Sequence, residues 1–143
     1  WKTDPKYLGP PKELGIGKGD LVYMPKWGTK NSILYVTEGE FDAYVLHLCN
    51  LNSAATGGSN LTWNQIKVLR DYQLVIAVDN DSAGSFALSK MIAGLKDYGI
   101  DGIRYVRPPV GFKDWNEFHL KYSKDLIFKY ATEKPKIFPI ALN

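Results

Sequence analysis

Apolar residues along this chain fall into short continuous runs that alternate with stripes of helical period. The clearest run opens the stretch 74–84, which reads L-V-I-A-V-D-N-D-S-A-G. A β-rich apolar run that ends abruptly in polar turn residues predicts a strand buried on both faces of a parallel sheet. A second run, 33–37, leads into Glu38-Gly39-Glu40-Phe41-Asp42, and shorter strands are predicted at 53–56 and 102–106. Between them, Phe41, Tyr44, Val45 and Leu48 recur at i, i+3, i+4 and i+7, as do Leu88, Met91, Ile92 and Leu95. Thr62 followed by Gln65 reads as a capping box that opens a helix with Trp63, Ile66 and Leu69 on its apolar face. Gly99 is placed to end the helix after the central strand, and Asp114 to start one carrying Trp115, Phe118 and Tyr122. Strand and helix alternate four times, which predicts an α/β fold: a four-stranded parallel sheet flanked by helices.

This organisation gives three segments: a basic arm or part of a preceding subdomain at 1–32, a folded unit at 33–132, and a tail at 133–143 that reads as a linker or a docking strand. The arm is rich in Pro, Gly and Lys, with one strand-like run at 20–24. Its G-I-G-K-G follows no strand, opens no helix and lacks the G-K-[ST] ending, so it is neither a P-loop nor a dinucleotide loop.

Composition narrows the class. At 143 residues and 45% hydrophobic the chain supports one ordinary core. A single cysteine, Cys49, precludes an internal disulfide or a Cys-based zinc site and points to a reducing, cytoplasmic setting. No apolar run is long enough to span a bilayer, so no membrane partner is expected. The net charge of +3 divides unevenly: residues 1–32 carry six basic and three acidic groups, 33–100 four and seven, and 101–143 eight and five. An acidic centre between basic flanks suits a cation site that serves a polyanion.

The acids of that centre sit where strands end. Alternation along a strand puts Asp79 and Asp81 on one side and Asn80 on the other. Two carboxylates this close repel unless a cation neutralises them, and hard oxygen donors suit Mg²⁺. Helix capping by Asp81 or Ser82 is the plainer explanation of the same residues. Glu38 stands at the tip of the first strand as Asp79 does at the third, with Asp42 a helical turn on. In open parallel sheets ligands bind at the carboxyl ends of strands where strand order reverses, so neighbouring first and third strands would bring these acids together.

Three ordered motifs, Glu38-Gly39-x-x-Asp42, Asp79-x-Asp81-x-x-Gly84 and Lys113-Asp114-x-Asn116-Glu117, resemble the Toprim domain. The T-E-G-E-F-D-A string and the later K-D-x-N-E are most similar to its primase branch: bacterial DnaG-type primases and the primase–helicases of phages and mitochondria. Thr56-Gly57-Gly58 is similar to the loop after the family's second strand. The resemblance covers residues 33–120 and implies a Rossmann-like core that binds Mg²⁺ or Mn²⁺ through Glu38, Asp79 and Asp81. Asp42 and Asp114 would be outer or second-metal groups, and Glu38 the family's candidate general base.

The implied activity is nucleotidyl transfer at a replication fork, in a cytoplasm, an organelle or a virus. Its partners would be a single-stranded DNA template, nucleoside triphosphates and, in a longer protein, a helicase. Lys26, Lys30 and Lys113 are the candidate phosphate contacts. Two other classes use the same acids: a Toprim nuclease that activates water, and a binding module with metal-dependent affinity and no catalysis. His47 and His119 fall in helices away from the acids, and Cys49 reads as a small buried apolar residue.

Overall fold

The computed structural model describes residues 21–138. In chain order these form β1 (Ile33–Thr37), α1 (Glu40–Leu48), β2 (Ser53–Ala55), α2 (Trp63–Leu69), β3 (Gln73–Ala77), α3 (Ser82–Asp97), β4 (Arg104–Val106), α4 (Trp115–Lys121), α5 (Lys124–Glu133) and β5 (Lys136–Ile137). The sheet order is β2-β1-β3-β4-β5, with the first four strands parallel and β5 antiparallel. β1 and β3 therefore lie side by side, in the register Leu34 to Leu74 and Val36 to Ile76. The chain leaves β1 in one direction to build β2 and in the other to build β3, which makes their junction the point where strand order reverses.

Alternation along the strands supplies two cores. Leu34, Val36, Leu74, Ile76 and Val78 meet Ile66 and Leu69 of α2 and Leu88, Met91, Ile92 and Leu95 of α3. Tyr35, Val75, Ala77 and Val106 meet Val45 and Leu46 of α1, Trp115 and Phe118 of α4, and Ile127 and Ala131 of α5. Both faces of the central strands are thus covered by helices, and Leu34–Val36 and Leu74–Ala77 run apolar without alternation for that reason.

Several expectations change. The sheet has a fifth strand beyond the expected four, the docking-strand alternative for the tail: Lys136–Ile137 pairs antiparallel with β4, and both residues are exposed. The helix begun at Asp114 stops at Lys121, and Ser123 caps a separate α5 by accepting from the Leu126 amide at 3.2 Å. Tyr122 consequently lies half exposed between the two helices instead of on a buried face. On α1 the buried residues are Ala43, Val45 and Leu46, while Phe41 is 49% exposed. Trp63 is also partly exposed, stacked on Tyr98 at 4.9 Å between centroids. The run at 20–24 yields one antiparallel bridge, Tyr23 to Ala55, and the residues before 21, with Gly15, Gly17, Gly19, Lys12 and Lys18, lie outside those described.

The capping box at α2 is present, and its Gln65 does more than cap. Gln65 is 1% exposed; its Oε1 accepts from the Thr62 amide while Nε2 donates to the carbonyls of Leu21 (2.9 Å) and Thr56 (2.7 Å). One side chain thereby ties the entering chain and the end of β2 to α2. Replacing it with an apolar isostere should cost stability despite the added hydrophobicity, because two carbonyls lose their donor. We expect Gln65→Leu to lower the unfolding free energy by about 2–4 kcal/mol in urea titration; an unchanged or raised midpoint would contradict this.

Candidate active site

The geometry of the site starts from β1–β3 register. Carrying it one step beyond Val36–Ile76 sets Thr37 beside Ala77, so Glu38 and Asp79 leave the sheet at the same edge. Each departing segment is then held. Buried Thr37 donates its hydroxyl to the Gly39 carbonyl at 2.8 Å, folding the turn that follows Glu38. The loop after β2 braces the same turn, with the Gly57 amide donating to the Glu38 carbonyl at 2.7 Å. Gly57 has φ +78, a left-handed conformation that a side chain would strain, which gives the Thr56-Gly57-Gly58 motif a physical reason.

After β3, Asp81 caps α3 by accepting from the Gly84 amide at 2.7 Å through Oδ1. Capping is therefore real, and it fixes the carboxylate at the crevice. Gly84 is required by contact: a Cβ there would lie 2.1 Å from the Asp79 carbonyl oxygen. Helix α3 thus packs its first turn directly on the Asp79 backbone, which accounts for the x-x-Gly spacing. Asn80 turns the other way, and the sequence carried no functional signal for it beyond its turn propensity. Its Nδ2 donates to the carbonyls of Pro108, Pro109 (3.1 Å) and Phe112 (3.0 Å), and its amide donates to the Lys113 carbonyl at 2.7 Å. This hub clips the 108–113 loop to the end of β3 and brings Lys113 and Asp114 to the acidic edge. Asp114 caps α4 through the Glu117 amide (2.8 Å), and Glu117 accepts from the Lys113 amide (2.8 Å).

The five acids interact as one cluster. Burial raises Asp42 to about 7, helped by the charges of Asp79 and Asp114 and by a hydrogen bond to Asp79. Asp79 is raised by burial and by the charges of Asp114, Asp81 and Glu38, while the hydrogen bond from Asp42 pulls it back. Glu38 is raised by burial and by Asp81. Their hydrogen bond raises Asp42 and lowers Asp79, which makes Asp42 the donor of the pair. Among the described residues no three His, Cys, Asp or Glu side chains stand in an arrangement that would by itself hold a metal ion. The donor chemistry still suits Mg²⁺: every member is a carboxylate, and the ion takes only one or two of them beside water and phosphate.

The lysines separate. Lys113 lies at this edge, lining a cleft with Asn80, Val110, Gly111 and Phe112. Lys30 pairs with Asp71 at 3.8 Å, just before β1 and β3 begin and hence at the opposite end of the strands. The segment carrying Lys26 runs antiparallel to β2 from Tyr23 and so away from the acids. His119 stands against buried Cys49, with Nδ1 4.0 Å from Sγ, and burial pushes that thiol up to about 11. His47 lies in the last turn of α1, and neither histidine enters the influences on the acids.

A mostly parallel sheet with a carboxylate cluster at its switch point defines the class, and comparison gives the family. Residues 35–119 match the Toprim-like family, and the chain belongs to it. A DNA primase of Clostridium acetobutylicum is 32% identical over 147 aligned residues, covering 99% of this chain and 24% of that protein. The structure of a DnaG primase catalytic domain bound to single-stranded DNA superposes with a TM-score of 0.67 at 24% identity, over 93% of this chain and 45% of the other. The crystal structure of the Aquifex aeolicus primase, comprising zinc-binding and RNA polymerase domains, superposes at 0.60 with 27% identity, over 73% and 26% of the two chains. These relatives put the chain in the primase branch of its family. It spans only 24% and 19% of the length of the first two curated relatives it matches.

The raised Asp42 has a consequence for the metal-free protein. Its ordinary value of 3.8 applies in the unfolded chain and about 7 in the fold, so between them the folded state binds the extra proton. Stability therefore falls as pH rises through this window. Asp42→Asn, which keeps a neutral donor toward Asp79, should lessen that fall. Melting in chelator at about pH 5 and about pH 8 checks it; an identical pH dependence in parent and variant would contradict the assignment.

Proposed function

We propose that this chain carries the acidic centre of a metal-dependent nucleotidyl transferase that extends a primer on single-stranded DNA, as part of a longer primase or primase–helicase. The observation that carries the reading is the convergence of Glu38, Asp42, Asp79, Asp81 and Asp114 in one mutually repelling cluster where β1 and β3 end. Membership in the primase branch supports the choice of reaction. The unit responsible is residues 33–132, with the tail adding its edge strand to β4.

In this reading Glu38, Asp79 and Asp81 supply the carboxylates for Mg²⁺ or Mn²⁺, one or two to each ion, and Asp42 and Asp114 stand as outer groups. The cation, when bound, neutralises charge that develops on phosphoryl oxygens. The chain's own residues do the rest. Glu38, its basicity increased by burial and by Asp81, accepts the proton of the attacking 3′-hydroxyl. Asp42 holds Asp79 in place through their shared hydrogen bond. Lys113, fixed by Asn80 and Glu117, faces the phosphates of the nucleoside triphosphate. Lys26 and Lys30 are left as contacts to a strand passing beyond the crevice. No described helix is long and apolar enough to cross a membrane, and a template at a replication fork is the proposed setting.

The test is incubation with Mg²⁺ or Mn²⁺, a primed single-stranded DNA and labelled nucleotides. Primer extension is expected, and Asp81→Asn should reduce it at least about 100-fold, the scale of losing one electrostatic contributor to a transition state. Cleavage of the DNA without extension would replace this reading by the nuclease, and metal-dependent binding with neither product by the non-catalytic module.

A further inference from the structure

A basic group that plays no part in the reading above stands at the same edge. Arg107 follows β4, and the register Ala77 to Val106 carried one step further sets it beside Val78, next to Asp79. Alternation turns it toward α3, the side on which Val78 and Tyr105 also pack. There Nη2 donates to Ser85 Oγ at 2.8 Å, in the first turn of the helix that Asp81 caps. The Arg107 backbone is fixed as well, since its carbonyl accepts from Tyr130 Oη at 2.7 Å.

The rest of the guanidinium is unspent. Nε is buried with no hydrogen-bond partner, and among the described residues Arg107 makes no ion pair despite five carboxylates at the same sheet edge. A half-buried cation with an orphaned donor is costly to keep, because desolvation of the charge is offset only by an anion or a full set of acceptors. The planar fork is matched to phosphate oxygens, and its tether to Ser85 fixes its direction before any ligand arrives. The helix N-terminus beside it favours the same sign of ligand.

We infer that Arg107 receives a phosphate group at the α3 side of the acidic crevice, acting with Ser85 as a phosphate-positioning pair. The inference rests on the proposed function for the identity of the ligand, and two sources share this chemistry. One is the polyphosphate of the incoming nucleotide and the other is the phosphodiester backbone of the strand. The polyphosphate is favoured by position, since the fork lies within a turn of Asp81.

The test is calorimetric titration of the whole chain, with Mg²⁺ at fixed ionic strength, using inorganic tripolyphosphate in one arm and a single-stranded oligonucleotide in the other. Arg107→Gln should weaken tripolyphosphate at least about tenfold, the loss of one charge-assisted pair. Arg107→Lys should recover part of the loss, which a purely structural role for the fork would not give. Ser85→Asp places a carboxylate against the guanidinium at a position that suits the helix, so it should weaken the same arm and carries the test if Arg107→Gln does not fold. Weakening confined to the oligonucleotide arm assigns the phosphate to the strand and keeps the pair. Unchanged affinity in both arms overturns the inference. Binding is read without turnover, so a chain that binds through Arg107 and extends no primer retains this site and loses the functional reading.

Discussion

Parallel pairing of β1 with β3 is the constraint on which this protein depends. It brings two strand ends together at the reversal point of the sheet, and each end carries acids: Glu38 on one, Asp79 and Asp81 on the other. Burial and the like charges around them both disfavour the ionised carboxylates, and the raised pKa values of Glu38, Asp42 and Asp79 record that cost. The sheet can hold such a cluster because both of its faces are buried under helices. The stability resides in the two apolar cores while the edge is left to chemistry.

Around that junction, polar side chains and glycines convert sequence into fixed loop geometry. Gln65 anchors the end of β2, whose loop supports Glu38 from behind. Asn80 collects carbonyls of the 108–113 loop and so delivers Asp114 from a third strand. Gly84 lets α3 approach the Asp79 carbonyl as closely as it does. Each of these residues acts on backbone atoms, which places the carboxylates without contributing charge. Tyr130, from α5, does the same for Arg107 on the neighbouring strand.

How much of this was legible depends on what kind of signal each element carries. The central strands and α3 were plain, since Leu88, Met91, Ile92 and Leu95 share one buried stripe. The strand-end acids were legible too, because residues that cap helices and residues that crowd charge occur there in ordered motifs. Periodicity misled where a helix buries small residues: Ala43 lies under α1 and Phe41 faces outward. It also carried α4 on to Tyr122 and left α5 unread, although Ser123 followed by Asp125 offered a start signal for a new helix. β5 has no apolar pattern, since its pairing is made by backbone alone. The roles of Asn80, Gln65 and Arg107 depend on contacts distant in sequence, and nothing local encodes them. The separation of Lys26 and Lys30 from Lys113 follows from strand direction, which charge counting along the chain ignores.

The central claim is that the acidic edge is an electrostatically frustrated site relieved by a divalent cation. Thermal melting of the parent chain and Asp79→Asn, each in chelator and in Mg²⁺ at constant ionic strength, tests it most directly. The account predicts that Mg²⁺ raises the parent's melting temperature and leaves the variant nearly unmoved, with the metal-free variant melting at or above the metal-free parent. A variant stabilised by Mg²⁺ as much as the parent, or one that is unfolded in chelator, would contradict it.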